Sequence, residues 1–214
     1  MLMLLDDEKF LEGFLLFVIV LLLAIIVILV LLLRRSWNRE RELANHDRLT
    51  GLVSREAFRD QISIETNRSA RTGKPFTLAY LDCDDFKKIN DSFGHLTGDQ
   101  VLKTVANVMR SNTRGYDVTA RMGGDEFAIL LPETSPEEAH CVLERLHAEL
   151  SEAMQARKWQ VTFSIGVLTF SASAESADEM IHAVDSLMYS VKQDGKSEVK
   201  YSVKTDSTHN VSPH

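Results

Sequence analysis

The chain has 214 residues, a formal charge of −7 at pH 7 and 44% hydrophobic residues. The negative balance argues against a nucleic-acid-binding surface, which is ordinarily basic. Two cysteines, Cys83 and Cys141, are too few for a disulfide-built scaffold, and neither pairs with histidine at a zinc-ligand spacing.

The N-terminal segment 1–13 carries Asp6, Asp7 and Glu8, and residues 14–33 follow as an uninterrupted apolar run. At about 1.5 Å per residue, such a run crosses a hydrocarbon core of roughly 30 Å. The acidic flank and the absence of small residues before Arg34 argue against a cleaved signal peptide. Arg34, Arg35, Arg39 and Arg41 follow the run, against Lys9 before it, so the charge rule predicts a single-pass membrane protein with residues 1–13 outside and the remainder in the cytoplasm. In that compartment both thiols stay reduced. Residues 34–45 read as a helical linker, either paired with a second copy or solvated. One globular domain is expected over 46–201, then a polar, non-periodic tail over 202–214 that predicts disorder.

Within the domain, periodicity and punctuation predict a helix over 55–71, a strand over 76–82, two helices up to 110, strands over 117–120 and 127–131, a helix over 136–152, a strand over 160–170, a helix over 177–193 and a final strand. Strands alternating with helices indicate an α/β or α+β sheet flanked by helices.

Two constellations in this frame carry chemistry. The strand ending at Asp82 runs into Cys83, Asp84 and Asp85, and three carboxylates within four residues repel one another. A hard divalent cation would relieve that repulsion, and magnesium commonly takes one or two carboxylates together with phosphate oxygens and water; the alternative is a solvated, helix-capping loop. The second constellation is Arg121-Met122-Gly123-Gly124-Asp125-Glu126-Phe127. Its glycines accept positive φ and carry no Cβ, so a tight hairpin forms and a ligand can approach the backbone. Read alone, this stretch is as well an ordinary turn.

Five ordered blocks decide between these readings: 47–52 (Asp-Arg-Leu-Thr-Gly-Leu), 82–91, Phe93-Gly94-His95 with Gly98-Asp99, the Gly123-to-Phe127 turn, and Ser164-Ile165-Gly166-Val167 with Tyr189, Lys192 and Gly195. Together they resemble the GGDEF family of diguanylate cyclases over roughly residues 45–201. The resemblance implies a fold like the palm of nucleotidyl cyclases and polymerases, with a largely antiparallel central sheet. It also implies condensation of two GTP molecules into cyclic di-GMP and pyrophosphate across a homodimer, at the bacterial inner membrane. The implied metal ligands for magnesium, or manganese in its place, are Asp82, the main-chain carbonyl of Cys83 and Asp125. Asp125 or Glu126 is the implied proton acceptor. Asn90 and Asp99 match the guanine-reading positions, whose alternative reading is helix caps. Lys87, Lys192 and Lys196 match phosphate-neutralising roles, with surface lysines as the alternative, and Gly123 and Gly124 line the nucleotide. Lys196 stands where the family often has Arg, and Ser54 where it more often has Asn. Arg114 and Asp117 match its Arg-x-x-Asp product-inhibition motif, whose alternative is a turn with a local ion pair. A catalytically silent domain that binds GTP or cyclic di-GMP is the rival from another functional class.

Overall fold

In a computed structural model, the structure describes residues 21–23, 25–31, 45–171 and 175–205. The chain divides into two units, Met1–Ala44 and Asn45–His214. Of the first, residues 21–23 and 25–31 are helical, and their apolar side chains are exposed. Among the described residues no helix is long and apolar enough to cross a membrane. The rest of the expected span over 14–33, the linker up to residue 44, and residues 206–214 lie outside the described residues.

The second unit is built on one six-stranded sheet. Its elements in chain order are β1 (Val53–Ser54), α1 (Arg55–Thr72), β2 (Phe76–Asp84), α2 (Phe86–Phe93), α3 (His95–Asn112), β3 (Val118–Gly123), β4 (Glu126–Leu131), α4 (Pro136–Ala156), β5 (Thr162–Ser171), α5 (Ala177–Asp194) and β6 (Val199–Thr205). The sheet order is β1-β3-β4-β2-β5-β6. The β1/β3 and β5/β6 pairs are parallel and the three central pairs antiparallel, so the expected mixed, largely antiparallel sheet is present.

Side chains alternate along the central strand β2 and so feed two cores. Ala79, Leu81 and Cys83 pack with Val101, Val105 and Met109 of α3 and Leu143, Leu146 and Leu150 of α4. Leu78 and Tyr80 pack with Phe58 and Ile62 of α1 and Met180, Val184 and Met188 of α5. Helix starts follow the sequence closely: Ser135 and Ser176 each form a capping box, with Glu138 and Glu179 three residues on.

Several boundaries differ from the sequence expectation. β2 runs two residues past 82, because Cys83 and Asp84 still find ladder partners in Phe163 and Thr162 of β5. The β3 strand continues to Gly123 through an irregularity between Arg121 and Gly123, which shortens the turn. The helix expected to end at 152 continues to Ala156, with Met154 buried in the core. The two-residue β1 was not legible, being too short for any periodicity. β6 reaches Thr205, past the domain end expected at 201, because residues 202–205 pair with 168–171.

Candidate active site

The β3–β4 turn is specified by backbone geometry. Gly123 has φ 149° and Gly124 φ 50°, which side chains rarely adopt, and a Cβ at either position would meet nothing within 4 Å. Glycine therefore serves conformation here and leaves open space over the backbone. Two contacts dock the turn on its surroundings. Cys83 N–H donates to the Asp125 carbonyl at 3.2 Å. Arg121 donates to the Gly124 carbonyl through Nε (3.0 Å) and Nη2 (2.7 Å), while its Nη1 donates to both Asp47 carboxylate oxygens at 3.1 and 3.2 Å. Thr50 donates to the same carboxylate through N–H and Oγ1.

At the end of β2 the register places Asp82 opposite Glu126. Asp82 is buried, and Lys192 of α5 reaches it with Nζ 2.7 Å from Oδ2. Burial pushes the Asp82 carboxyl up, and the negative charges of Asp125 and Asp84 add to this while Lys192 opposes it. The Asp125 carboxyl is raised as well, by burial first and by Glu126. Burial works to lower the Lys192 ammonium, but the bond and charge of Asp82, with Asp125 and Asp84 behind it, hold it above the usual range. Two carboxylates that both favour added positive charge fit a cation. In an extended strand the N–H and C=O of one residue point the same way, so the Cys83 carbonyl faces the same turn. Among the described residues no three His, Cys, Asp or Glu side chains are grouped to hold a metal. This donor set is two carboxylates and a carbonyl, which suits magnesium completed by phosphate and water. The Cys83 thiol itself points away, buried in the opposite core.

The three-carboxylate reading of Asp82, Asp84 and Asp85 is corrected here. Asp84 is 2% exposed and accepts from Thr162 Oγ1 (2.7 Å), Ser164 Oγ (2.8 Å) and Ser197 N–H (3.3 Å). Asp85 lies outside that pocket and pairs with Lys88 (3.2 Å) and Lys196 (3.0 Å). Asp84 is thus held by hydroxyls and an N–H and Asp85 by lysines, while the Asp84 charge still bears on Asp82. Lys196, expected at phosphate, is engaged by Asp85, and Lys87 is exposed on the first turn of α2.

Asn90 and Asp99 are both half-buried, on α2 and α3. Neither is an N-cap: Asp85 precedes α2, and Gly94 ends α2 and opens α3. The Asn90 amide lies against Gly98, where a Cβ would stand 2.1 Å from Oδ1. Gly98 is thus the gap on α3 that admits the Asn90 side chain, one residue before Asp99 in sequence.

Arg114 and Asp117 flank a turn after α3, and the local ion pair is not formed. Arg114 Nη1 donates to the Tyr116 hydroxyl at 2.8 Å, and Asp117 Oδ2 accepts from the Arg114 N–H at 2.7 Å. Asp117 Oδ1 is buried and accepts no hydrogen bond among the described residues, and burial raises this carboxyl. Asp117 and Tyr116 line a cavity of about 430 Å³ with His46, Gln61 and Arg110. Away from the site, His140 pairs with Glu144 and meets the Tyr201 ring edge-on, a surface arrangement.

Sequence reasoning missed three contributors. Tyr80 donates its hydroxyl to Glu126 Oε2 at 3.1 Å, and a tyrosine in an apolar strand carries no mark of that role. Asp47 and Arg121 sat in motifs without a partner, because their separation of 74 positions conceals the contact.

The family described as "Diguanylate cyclase, GGDEF domain" matches residues 44–198. Diguanylate cyclase DgcP of Pseudomonas aeruginosa is 38% identical over 164 residues, covering 75% of this chain and 24% of DgcP. Probable diguanylate cyclase DgcT of Escherichia coli K12 is 32% identical over 164 residues, covering 74% of this chain and 36% of DgcT. The coiled coil and GGDEF domain of DgcB from Caulobacter crescentus, solved in complex with c-di-GMP, matches with TM-score 0.72 and 31% identity over 84% of this chain and 97% of that one. The chain spans about a quarter of DgcP and about a third of DgcT. Because the family match spans residues 44–198, most of the chain, the chain belongs to the GGDEF-domain family of diguanylate cyclases.

Proposed function

We propose that this protein condenses two GTP molecules into cyclic di-GMP and pyrophosphate, each domain of a homodimer holding one nucleotide. The observation that carries the reading is the meeting of Asp82 with Asp125 and Glu126 at one strand end, with Lys192 against Asp82. Asp82, the Cys83 carbonyl and Asp125 would hold magnesium or manganese. When bound, that cation supplies a Lewis acid and template against the triphosphate. Asn90 and Asp99 orient guanine through its donors and acceptors, and the open backbone of Gly123 and Gly124 admits the nucleotide closely. Lys87, Lys192 and Lys196 neutralise phosphate charge as compact cations. The ribose hydroxyl of each GTP attacks the α-phosphorus of the other, its proton passing to Asp125 or Glu126 of its domain, and the two bonds to pyrophosphate break, releasing two pyrophosphates. Tyr80 holds Glu126 in place for this through the 3.1 Å hydrogen bond. Arg114 and Asp117 form the product-inhibition site, Asp117 Oδ1 being ready to accept from a guanine edge.

We propose further that residues 14–33 anchor the protein once in the bacterial inner membrane, with residues 1–13 outside and the catalytic domain in the cytoplasm. The apolar run, the arginines after it, and the exposed apolar helical residues 21–23 and 25–31 support this. Protease added to intact spheroplasts would leave the domain whole; its digestion from outside would refute the orientation.

Purified full-length protein in detergent, given GTP and magnesium, tests the activity beside an Asp125→Asn/Glu126→Gln variant. Cyclic di-GMP from the wild type alone is the expected result. Bound GTP or cyclic di-GMP without turnover would replace this reading with that of a silent receptor.

A further inference from the structure

We propose that Asp85 sets the triphosphate affinity of this site by holding Lys196 as a resting partner that the substrate must win over. The inference rests on the nucleotide reading above. Three of the five non-glycine residues with positive φ among the described residues lie together here: Asp85 at 59°, Lys196 at 67° and Ser197 at 60°. Such conformations persist where surrounding contacts over-determine them. The contacts are two successive carboxylates on two successive residues: Asp84 accepts the Ser197 N–H, and Asp85 accepts Lys196 Nζ at 3.0 Å. The Lys196 N–H donates in turn to the Val191 carbonyl at 3.1 Å. The backbone of this turn is therefore pinned independently of Asp85, and the Lys196 side chain can leave by rotation alone. Asp85 stays compensated when it does, because Lys88 reaches the same Oδ1 at 3.2 Å. The Lys196 and Asp85 side chains are 41% and 37% exposed, so the pair belongs to the weak, exchangeable class. A triphosphate carries several charges where Asp85 carries one, and Lys196 exchanges toward the nucleotide.

The test is Asp85→Asn, since Asn tolerates the left-handed backbone as Asp does and removes only the charge. Full-length protein is titrated with magnesium pyrophosphate by calorimetry, and the KM for GTP is measured beside it. Losing an exposed ion pair of this kind tightens pyrophosphate binding by about two- to fivefold, with the gain shrinking at high salt and vanishing in a Lys196→Ala background. A merely structural role for Asp85 would weaken binding instead. Unchanged or weaker binding in Asp85→Asn, or a gain that survives Lys196→Ala, overturns the inference while leaving the nucleotide reading intact. Wild-type protein that binds neither pyrophosphate nor GTP overturns both.

Discussion

Replacing Gly166 by alanine should lower stability and loosen the nucleotide site together. A Cβ on Gly166 would stand 2.5 Å from Met188 N, 2.6 Å from the Val184 carbonyl oxygen and 3.0 Å from Met188 Cα. These are backbone atoms of α5, and the first two are the i, i+4 partners of a helical hydrogen bond, so no side-chain rotation relieves the contact. The helix must withdraw by on the order of 1 Å to restore ordinary van der Waals separation, and its buried face of Met180, Val184, Met188 and Val191 moves with it. Alanine gains about 0.5–1 kcal/mol over glycine within a strand, but overpacking against a rigid backbone costs about 1–3 kcal/mol and can cost more. Contacts this short to fixed backbone put the cost at its upper end, so about 3 kcal/mol less the gain leaves a net loss of about 2–2.5 kcal/mol, a fall in melting midpoint of roughly 4–10 °C at 2–4 °C per kcal/mol. Lys192 lies one turn beyond Met188, so its 2.7 Å contact with Asp82 is displaced and pyrophosphate binding weakens as well. Thermal unfolding by circular dichroism, with a calorimetric titration on the folded variant, measures both. A midpoint within about 1 °C of wild type would refute the close-approach argument.

Gly98→Ala should behave in the opposite way. Its clash is with the free end of the Asn90 side chain, which can rotate away, and alanine favours the helix by about 1 kcal/mol. Melting should hold while the KM for GTP rises about tenfold, the cost of a lost base contact of about 1–1.5 kcal/mol; lost stability with an unchanged KM would contradict this. Lys192→Ala removes the cation on Asp82 and should raise the KM for GTP by roughly 10- to 100-fold, as expected for a charged hydrogen bond; a threefold change or less would count against its phosphate role. For Asp47, burial works to raise the carboxyl, but the hydrogen bonds from Thr50 and Arg121 outweigh it and hold the group below its usual range. Its stabilisation is thus present above the unfolded value, near pH 4, and is lost as pH falls through the folded value. Asp47→Asn should cost about 1–2 kcal/mol at pH 7 and flatten the acid limb of stability against pH; an acid limb identical to wild type would remove Asp47 from that account.

The site was legible wherever its chemistry is local. Gly123-Gly124 announced a positive-φ turn, but of the two carboxylates expected to project from it, Glu126 opens β4 opposite Asp82 and both are half-buried. The α2–α3 pair with Asn90 and Asp99 followed from helical spacing and Gly94. Spacing misled at Asp84 and Asp85 for different reasons: Asp84 shares the Asp82 face of β2 but is held by Thr162, Ser164 and the Ser197 N–H, while Asp85 has left the strand and pairs with Lys88 and Lys196. Lys196 was assigned to phosphate by position alone, and its present partner 111 residues away was invisible.

What the sequence by itself determined is what depends on neighbours within a turn or two: the capping boxes at Ser135 and Ser176, the glycine turn, the alternation that gives β2 two buried faces, and the family motifs. Only the tertiary structure decided that Gly166 must lack a side chain because α5 lies on it, that Arg121 ties the turn to Asp47, and that Asp84 is spent on β5 and on Ser197, 113 residues away. The physical reason is that hydrogen bonds and packing act over a few ångströms in space. A chain records that distance directly only between residues a few positions apart, and folding sets it for all the rest.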